Sequence, residues 1–287
     1  MKHMADLNRR FLVSLIAISA VALLLAFSSH FFVSVILMMV VAALSGIGVW
    51  EYARLGIQKG MYLRSHLMVL FAVLEVVAFY TSLVFVDFPK LPVLVLVCAG
   101  VVFFLAHFNE ISDALSDIAV QFFGICYISF PLSLLLGILY PVPHQGVAQE
   151  GRWWLAYLIL VTKITDIGAY FVGRLWGKHQ LSASLSPKKT IEGAVAGWLC
   201  AILASVGMYF FAAHYLDATI HLTLFESIYL GALIGIFGQI GDLAESLLKR
   251  DAVVKDSNTL PGFGGVLDML DSLLLTIPVL YFFLCMH

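Results

Sequence analysis

Charged residues are scarce in this sequence of 287 residues, because Asp, Glu, Lys and Arg make up only 12% of it while hydrophobic residues make up 62%. A soluble domain carries about twice that share of charge. The composition therefore excludes an ordinary water-soluble fold and indicates a protein that crosses a membrane several times. The net charge of −2 by itself neither favours nor excludes nucleic acid, and we expect no nucleic-acid partner.

Cysteine is also scarce, with four residues in the whole chain. Each cysteine lies within an apolar run, and no two of them have the CxxC spacing of a zinc or redox motif. We therefore expect neither a disulfide framework nor a zinc site, and we interpret the cysteines as buried packing residues. They are Cys98, Cys126, Cys200 and Cys285.

Long apolar runs are what the sequence has in abundance. A helix that crosses the hydrocarbon core of a bilayer needs about 20 apolar residues, and nine runs are close to that length. They predict an all-α, polytopic integral membrane protein with about nine transmembrane helices. The predicted spans are residues 11–28, 31–48, 67–86, 91–107, 118–140, 152–172, 193–213, 223–245 and 265–285.

Basic residues are divided unevenly among the loops between these spans. With a cytoplasmic N-terminus, the outside loops hold only Lys90 and Arg152, and Lys163 lies within a span. The other thirteen lie on the inside, where Lys and Arg are normally enriched, so we predict a cytoplasmic N-terminus. They are Lys2, Arg9, Arg10, Arg54, Lys59, Arg64, Arg174, Lys178, Lys188, Lys189, Lys249, Arg250 and Lys255.

Two patterns of small residues predict close contacts between helices. The stretches GAVAG (residues 193–197) and GALIG (residues 231–235) both have the GxxxG spacing. In membrane helices this spacing lets two backbones approach closely. We therefore expect the seventh and eighth spans to pack tightly against neighbouring helices.

A face with charges of both signs is predicted at the inner end of the eighth span. Asp242, Glu245, Ser246 and Lys249 occupy positions i, i+3, i+4 and i+7, so they share one side of a helix. Such a face suits a ligand that brings both a metal ion and phosphates. Alternatively, Glu245 forms a helical ion pair with Lys249 and binds nothing.

Acidic residues also lie at membrane depth. Asp268 and Asp271 are three residues apart, so they share a face about one turn into the ninth span. Charged groups at that depth are costly and usually face a cavity or a partner. Because Mg²⁺ is bound by carboxylates together with substrate phosphates, we interpret these two residues and Asp242 as metal ligands. Asp166 in the sixth span is a further candidate, unless Lys163 one turn earlier only neutralises it.

The loop before the seventh span reads SPKKT over residues 186–190. We expect Pro187 to open a helix whose first turn carries Lys188, Lys189 and Thr190, because proline is favoured at the first helical position. Free backbone amides and two ammonium groups would there suit a triphosphate. Alternatively, the lysines only set the topology and contact anionic headgroups.

The loop between the last two spans also allows two interpretations. Its glycines (PGFGG, residues 261–265) would let backbone amides approach a phosphate, although a simple turn explains them equally well. Asp251 and Lys255 are close enough in sequence to form a loop ion pair. The sequence alone does not choose between these alternatives.

These same stretches resemble a known family. Residues 246–271, SLLKRDAVVKDSNTLPGFGGVLDMLD, are similar to the signature of the phosphatidate cytidylyltransferases, also called CDP-diacylglycerol synthases, which reads S-x-x-K-R-x4-K-D, a short gap, and P-G-H-G-G-x-x-D-R-x-D. SPKKTIEG resembles the family's SPKKTWEG. The matching signature residues are Ser246, Lys249, Arg250, Lys255, Asp256, Pro261, Gly262, Gly264, Gly265, Asp268 and Asp271.

The sequence departs from the family pattern at three positions. Phe263 replaces a histidine, Met269 replaces an arginine and Ile191 replaces a tryptophan. The first two changes remove polar groups from the site, whereas the acids and the Lys/Arg set remain. We therefore expect the chemistry to be retained, with an altered rate or substrate handling.

The resemblance implies that CTP and phosphatidate are converted to CDP-diacylglycerol and pyrophosphate in phospholipid biosynthesis. It implies Mg²⁺ as cofactor, with room for a second cation such as K⁺, and a tendency to form homodimers. The catalytic residues would be Asp242, Lys249, Arg250, Asp268 and Asp271. The substrate-binding residues would be Ser186, Lys188, Lys189, Thr190, Glu192, Ser246, Lys255, Asp256, Gly264 and Gly265. The metal ligands would be Asp242, Asp268, Asp271 and Asp166.

The motifs also suggest a division of labour along the chain. We expect residues 1–150 to provide packing and lipid access, and residues 151–287 to form the catalytic region. A soluble nucleotide and a lipid phosphate can meet only at the headgroup level, so we expect a multi-pass protein of the cell inner (cytoplasmic) membrane with its site at the cytoplasmic face.

Two other functions stay open at this point. Another CTP-dependent membrane lipid enzyme, such as a polyprenol kinase or an archaeal-type lipid cytidylyltransferase, would carry similar charges. A kinase releases CDP, whereas a cytidylyltransferase releases pyrophosphate. A transporter would more naturally spread its ionisable residues along a path through the membrane, and here they cluster at one side.

Overall fold

The computed structural model describes residues 23–85, 88–141, 150–215, 222–253 and 265–286. Within these ranges, seven helices are long and apolar enough to cross a membrane, and one apolar helix is shorter. The predicted all-α, multi-span architecture is therefore confirmed. The helices are α1 (Phe31–Gln58), α2 (Ser65–Val84), α3 (Leu91–Ala106), α4 (Ala114–Leu139), α5 (Gly151–Trp176), α6 (Ile191–Tyr215), α7 (Leu224–Asp251) and α8 (Val266–Met286), and the strands are β1 (Gln180–Ser182) and β2 (Ser186–Thr190).

The predicted number of nine spans is not decided by these helices. Most of the first predicted span, residues 11–28, lies outside the described residues. The fourth predicted span corresponds to α3, which has only 16 residues. Nine spans and a cytoplasmic N-terminus therefore stay predictions.

Helix α1 continues ten residues beyond the predicted end of its span, to Gln58. The additional turns contain Glu51 and Arg54, which a hydropathy reading places in a loop. Backbone hydrogen bonding within a helix does not depend on side-chain polarity, so a helix that leaves the apolar layer can simply continue. Glu51 is nevertheless buried in the bundle.

Side chains from both halves of the chain share one apolar core. The ring of Trp154 in α5 lies 6.2 Å from that of Phe283 in α8, and Phe79 in α2 lies 6.1 Å from Tyr281 in α8. Trp154 is almost completely buried. Helix α8 therefore packs on both halves, and the proposed division of labour at residue 150 stays a prediction.

Both GxxxG stretches lie at close helix contacts, as predicted. A Cβ atom on Gly197 of α6 would approach the carbonyl oxygen of Thr165 in α5 to 2.8 Å. A Cβ atom on Gly231 of α7 would lie 2.6 Å from the Cβ of Ser205 in α6. Only glycine allows these backbones to pack at such distances.

An antiparallel hairpin of β1 and β2 joins α5 to α6, so the prediction that Pro187 opens a helix is wrong. Pro187 lies within β2, and an edge strand tolerates proline because no neighbour needs its missing N–H. Helix α6 begins only at Ile191. The hydroxyl of Thr190 accepts the N–H of Gly193 at 3.1 Å and so caps that helix.

The cysteines form no disulfide, but they are not the buried packing residues that the sequence suggested. Cys98 and Cys285 are exposed on the surface of the bundle, while Cys126 and Cys200 are half-buried. Apolar surface in a membrane helix can face lipid as readily as the protein interior, so an apolar run does not specify burial.

One end of the bundle gathers the last turns of α1 and α7 and the hairpin. The Lys59 ammonium group, just after α1, lies 2.6 Å from the Asp251 carboxylate. The predicted partner of Asp251, Lys255, lies outside the described residues, so that ion pair stays a prediction. The guanidinium Nε of Arg250 donates to the carbonyl of Leu185 in the hairpin turn at 3.3 Å. These contacts bring charged segments that are distant in sequence to one end of the bundle.

We expect Gly197→Ala to destabilise the protein by about 1–3 kcal/mol, because the new methyl group would force α5 and α6 apart. Gly207 lies in the same helix and has open space around it. Gly207→Ala should therefore be neutral or stabilise by roughly 0.5–1 kcal/mol. Thermal unfolding of the detergent-solubilised variants checks both, and equal melting temperatures would contradict the close contact.

Candidate active site

Six of the predicted site residues line one cleft, which has a volume of about 570 Å³ and lies between α5, the hairpin, α6 and α7. The hairpin strand β2 contributes four of them, and the helices α5 and α7 contribute one acid each. The structure therefore brings together stretches that are separated in sequence by up to 76 positions. The six residues are Asp166, Ser186, Lys188, Lys189, Thr190 and Asp242.

The acids of the cleft are engaged by lysines. The Lys189 ammonium group is in direct contact with the Asp242 carboxylate. Lys163 lies 3.4 Å from Asp166, one helical turn away, so the neutralising pair considered as an alternative is present. Asp166 still faces the cleft, and its pairing with an exposed lysine leaves it able to exchange partners because such pairs are weak.

Glu192 holds the hairpin in place. Its carboxylate accepts hydrogen bonds from the backbone N–H groups of Lys178 and His179 at 3.1 and 3.2 Å, and it lies 2.6 Å from Nδ1 of the His179 ring. It does not belong to the lining of the cleft. Glu192 therefore positions β1 and β2, and its predicted contact with substrate stays a prediction.

A second charged group lies beside the cleft, between α7 and α8. Lys249 contacts the Asp268 carboxylate and lies 2.6 Å from Glu245. The Glu245–Lys249 ion pair considered as an alternative is thus present. The Lys249 side chain is only 13% exposed and that of Glu245 only 3%, so this group is shielded from solvent. Asp268 retains a more accessible carboxylate.

Asp271 connects the two charged groups. Its backbone carbonyl packs so closely on Gly241 that a Cβ atom there would collide with it, which places Asp271 next to the start of the charged face of α7. The N–H and hydroxyl of Ser272 donate to the Asp271 carboxylate. The predicted acids therefore converge on one region.

The remaining predicted residues lie around this region. Ser246 and Arg250 are on α7 outside the cleft lining, and Arg250 is tied to the hairpin turn. Gly265 is buried immediately before α8. Lys255, Asp256 and Gly264 lie outside the described residues, so their predicted roles are not tested by the structure.

The acids suit magnesium by their chemistry. Asp166 and Asp242 face one cleft, and Asp271 packs against Gly241, the residue before Asp242. In this arrangement no three His, Cys, Asp or Glu side chains among the described residues are grouped closely enough to share one ion, and Asp268 contacts Lys249 instead. Because Mg²⁺ usually takes one or two carboxylates plus substrate phosphates, Asp166 and Asp242 fit that role. The full set of four ligands stays a prediction.

Three cleft residues with polar or charged side chains were missed by the sequence analysis: Tyr170, Arg174 and Gln239. The Arg174 guanidinium donates to the Tyr170 hydroxyl at 2.7 Å and lies 5.9 Å from the centre of its ring. Tyr170 and Arg174 follow Asp166 by four and eight residues, so they share its helical face. Reading that face from Asp166 would have found them.

This arrangement can bind a polyanion that carries an aromatic ring. Lys188, Lys189 and Arg174 supply positive charge, because ammonium and guanidinium groups bind phosphate oxygens strongly. The exposed ring of Tyr170 offers a stacking surface for a base. Asp166 and Asp242 can hold a cation beside the phosphates. A nucleotide with several phosphates fits these features.

Comparison with known proteins agrees with this arrangement. Residues 8–287 match the sequence profile of the cytidylyltransferase family. A phosphatidate cytidylyltransferase of Chlamydia pneumoniae is 33% identical over 289 residues, which cover 97% of this chain and 92% of that protein. Two other phosphatidate cytidylyltransferases match over about half their lengths. That of Chlamydia muridarum is 41% identical over 159 residues, which cover 55% of this chain and 52% of that protein. That of Staphylococcus haemolyticus is 42% identical over 146 residues, which cover 50% of this chain and 53% of that protein. The chain therefore belongs to the cytidylyltransferase family.

Proposed function

We propose that this protein transfers the cytidylyl group of CTP to phosphatidate, which yields CDP-diacylglycerol and pyrophosphate. The observation that carries the proposal is the meeting of SPKKT on β2 with Asp242 of α7 in one cleft. Relatives that carry the name phosphatidate cytidylyltransferase support it, since one of them aligns with almost the whole chain.

The reaction needs two anionic substrates to be held together. An oxygen of the phosphatidate phosphate attacks the α-phosphorus of CTP, and the bond from that phosphorus to the bridging oxygen of the β-phosphate breaks as pyrophosphate leaves in line. Such a transfer depends mainly on positioning and on stabilisation of negative charge. A phosphate monoester is already ionised, so the attack requires no dedicated general base.

The residues of the cleft can meet these demands. Lys188 and Lys189 would bind phosphate oxygens of CTP, with Lys189 exchanging its contact to Asp242 for a phosphate. Lys249 and Arg250 would neutralise the charge of the second phosphate or of the leaving group. When bound, Mg²⁺ would supply further charge neutralisation, held by Asp242 and Asp166 with Asp271 beside them.

We place the site at the cytoplasmic face of the cell inner membrane. The cleft lies at the bundle end that holds the hairpin and the last turns of α1 and α7. The excess of basic residues in the loops on that side supports a cytoplasmic orientation. CTP would then enter from the cytosol, while phosphatidate would keep its acyl chains in the bilayer.

The direct test is an assay of the purified protein in detergent micelles with labelled CTP, phosphatidate and Mg²⁺. We expect equal amounts of CDP-diacylglycerol and pyrophosphate, because each transfer forms one of each. Release of CDP with a phosphorylated lipid would identify a kinase instead. Absence of any liponucleotide would refute the proposed transfer.

We expect Asp268→Asn and Asp271→Asn each to lower kcat by about 100-fold or more, because each removes a carboxylate that is predicted to hold the Mg²⁺ that would balance the phosphate charge. Asp251→Asn is the matched control, since Asp251 is an exposed acid of α7 that pairs with Lys59. Turnover measured on equal amounts of monodisperse protein checks the prediction. Near-normal activity in both site variants would rule out these catalytic assignments.

We expect Lys189→Met to raise the KM for CTP by about tenfold, because a charge-assisted hydrogen bond to phosphate is worth about 1.5–3 kcal/mol. Lys178→Met is the matched control, because Lys178 precedes the same hairpin but does not line the cleft. Initial rates over a range of CTP concentrations give KM and kcat separately and so check the prediction. An unchanged KM in the Lys189 variant would contradict phosphate binding by β2.

A further inference from the structure

We propose that Glu51 is a positioning residue for the acids of α8, because it fixes the first turn of the helix that carries Asp268 and Asp271. The proposal rests on the proposed function, in which those two acids serve the reaction. It also gives the first part of the chain a defined task at the site, which neither the motifs nor the apolar runs indicate.

The Glu51 carboxylate binds the start of α8 with both of its oxygens. Oε1 accepts the backbone N–H of Val266 at 3.0 Å, and Oε2 accepts that of Leu267 at 2.8 Å. Glu51 is 2% exposed, and Val266 and Leu267 are 1% and 0% exposed. These hydrogen bonds are therefore shielded from water, which makes their loss costly.

The three residues just before α8 carry no side-chain oxygen that could cap it. The first N–H groups of a helix lack partners within it, and a side-chain oxygen just before the helix usually accepts them. Residues 263–265, which precede Val266, read Phe-Gly-Gly and offer no such oxygen. Glu51 supplies it from a position 215 residues away, and its negative charge also suits the positive end of the helix dipole.

The position of this first turn determines where the acids lie. Asp268 follows Leu267 directly and contacts Lys249, and Asp271 lies one turn further on, with its carbonyl against Gly241. If the first turn frays or shifts, Asp268 moves with it. A displacement of about 1 Å in a catalytic group can cost about 100-fold in rate.

The test compares Glu51→Gln with Glu75→Gln in the full-length protein. Glutamine keeps the size of the side chain, but its NH₂ group is a donor and faces one of the two backbone N–H groups. One of the two hydrogen bonds to α8 is therefore lost. Glu75 is a completely buried acid of α2 and makes no hydrogen bond to any described residue. It therefore controls for the loss of a buried carboxylate in the same part of the chain.

We expect Glu51→Gln to lower kcat by about tenfold or more while the KM for CTP stays within about twofold, because the cleft that binds CTP is left intact. Glu75→Gln should leave both constants close to those of the wild-type protein. Full kcat in Glu51→Gln, or equal losses in both variants, would overturn the proposal. A merely structural defect would lower the yield of folded protein and not the kcat of the folded fraction.

Hydrogen–deuterium exchange gives a second readout that needs no activity. Amides 266–271 should exchange at least about fivefold faster in Glu51→Gln than in the wild-type protein, because two of their acceptors are disturbed. Glu75→Gln should leave this segment unchanged. If the wild-type protein makes no CDP-diacylglycerol, the proposed function fails, whereas unchanged exchange in Glu51→Gln shows that the positioning role fails.

Discussion

The cost of placing charge in a bundle of apolar helices governs this structure. A carboxylate or ammonium group removed from water is costly unless another group satisfies it. Three of the described acids meet this demand through partners on other elements: Lys189 for Asp242, Lys249 for Asp268 and backbone amides for Glu51. Each of these contacts joins two elements, so the charges that define the site also hold α1, β2, α7 and α8 together.

The same contacts keep the charged side chains of the site paired when no substrate is bound. In the proposed reaction, phosphate oxygens replace Asp242 and Asp268 as partners of Lys189 and Lys249, and the freed carboxylates then face cations. Breaking a shielded ion pair without replacement is costly, so binding of a polyanion and of a cation is coupled. The partly exposed Lys189–Asp242 pair can reorganise more easily than the shielded Lys249–Glu245 pair.

Close backbone packing supplies the second constraint. Gly241 lets the carbonyl of Asp271 lie directly against α7, and Gly193 and Gly197 bring α6 against α5. Helices that are locked in this way carry their acids to fixed positions, which electrostatic stabilisation of a reaction requires. Glu51 fixes the first turn of α8 in the same way, through its hydrogen bonds to Val266 and Leu267. The first part of the chain is thus connected to the site by hydrogen bonds as well as by the apolar core.

The helices and the approximate position of the candidate site follow from the amino-acid sequence. Apolar runs of membrane length must form helices because the bilayer offers no partner for a free backbone group, and helical spacing put Asp242 and Lys249 on one face. The pairing of the charged side chains, in contrast, depends on the three-dimensional packing of the elements. Lys189 lies on a strand because β1 pairs with β2, Lys59 contacts Asp251 from just beyond α1, and Glu51 reaches Val266 across 215 positions. Such contacts depend on how the helices pack, and no local pattern of residues encodes a partner so far along the chain.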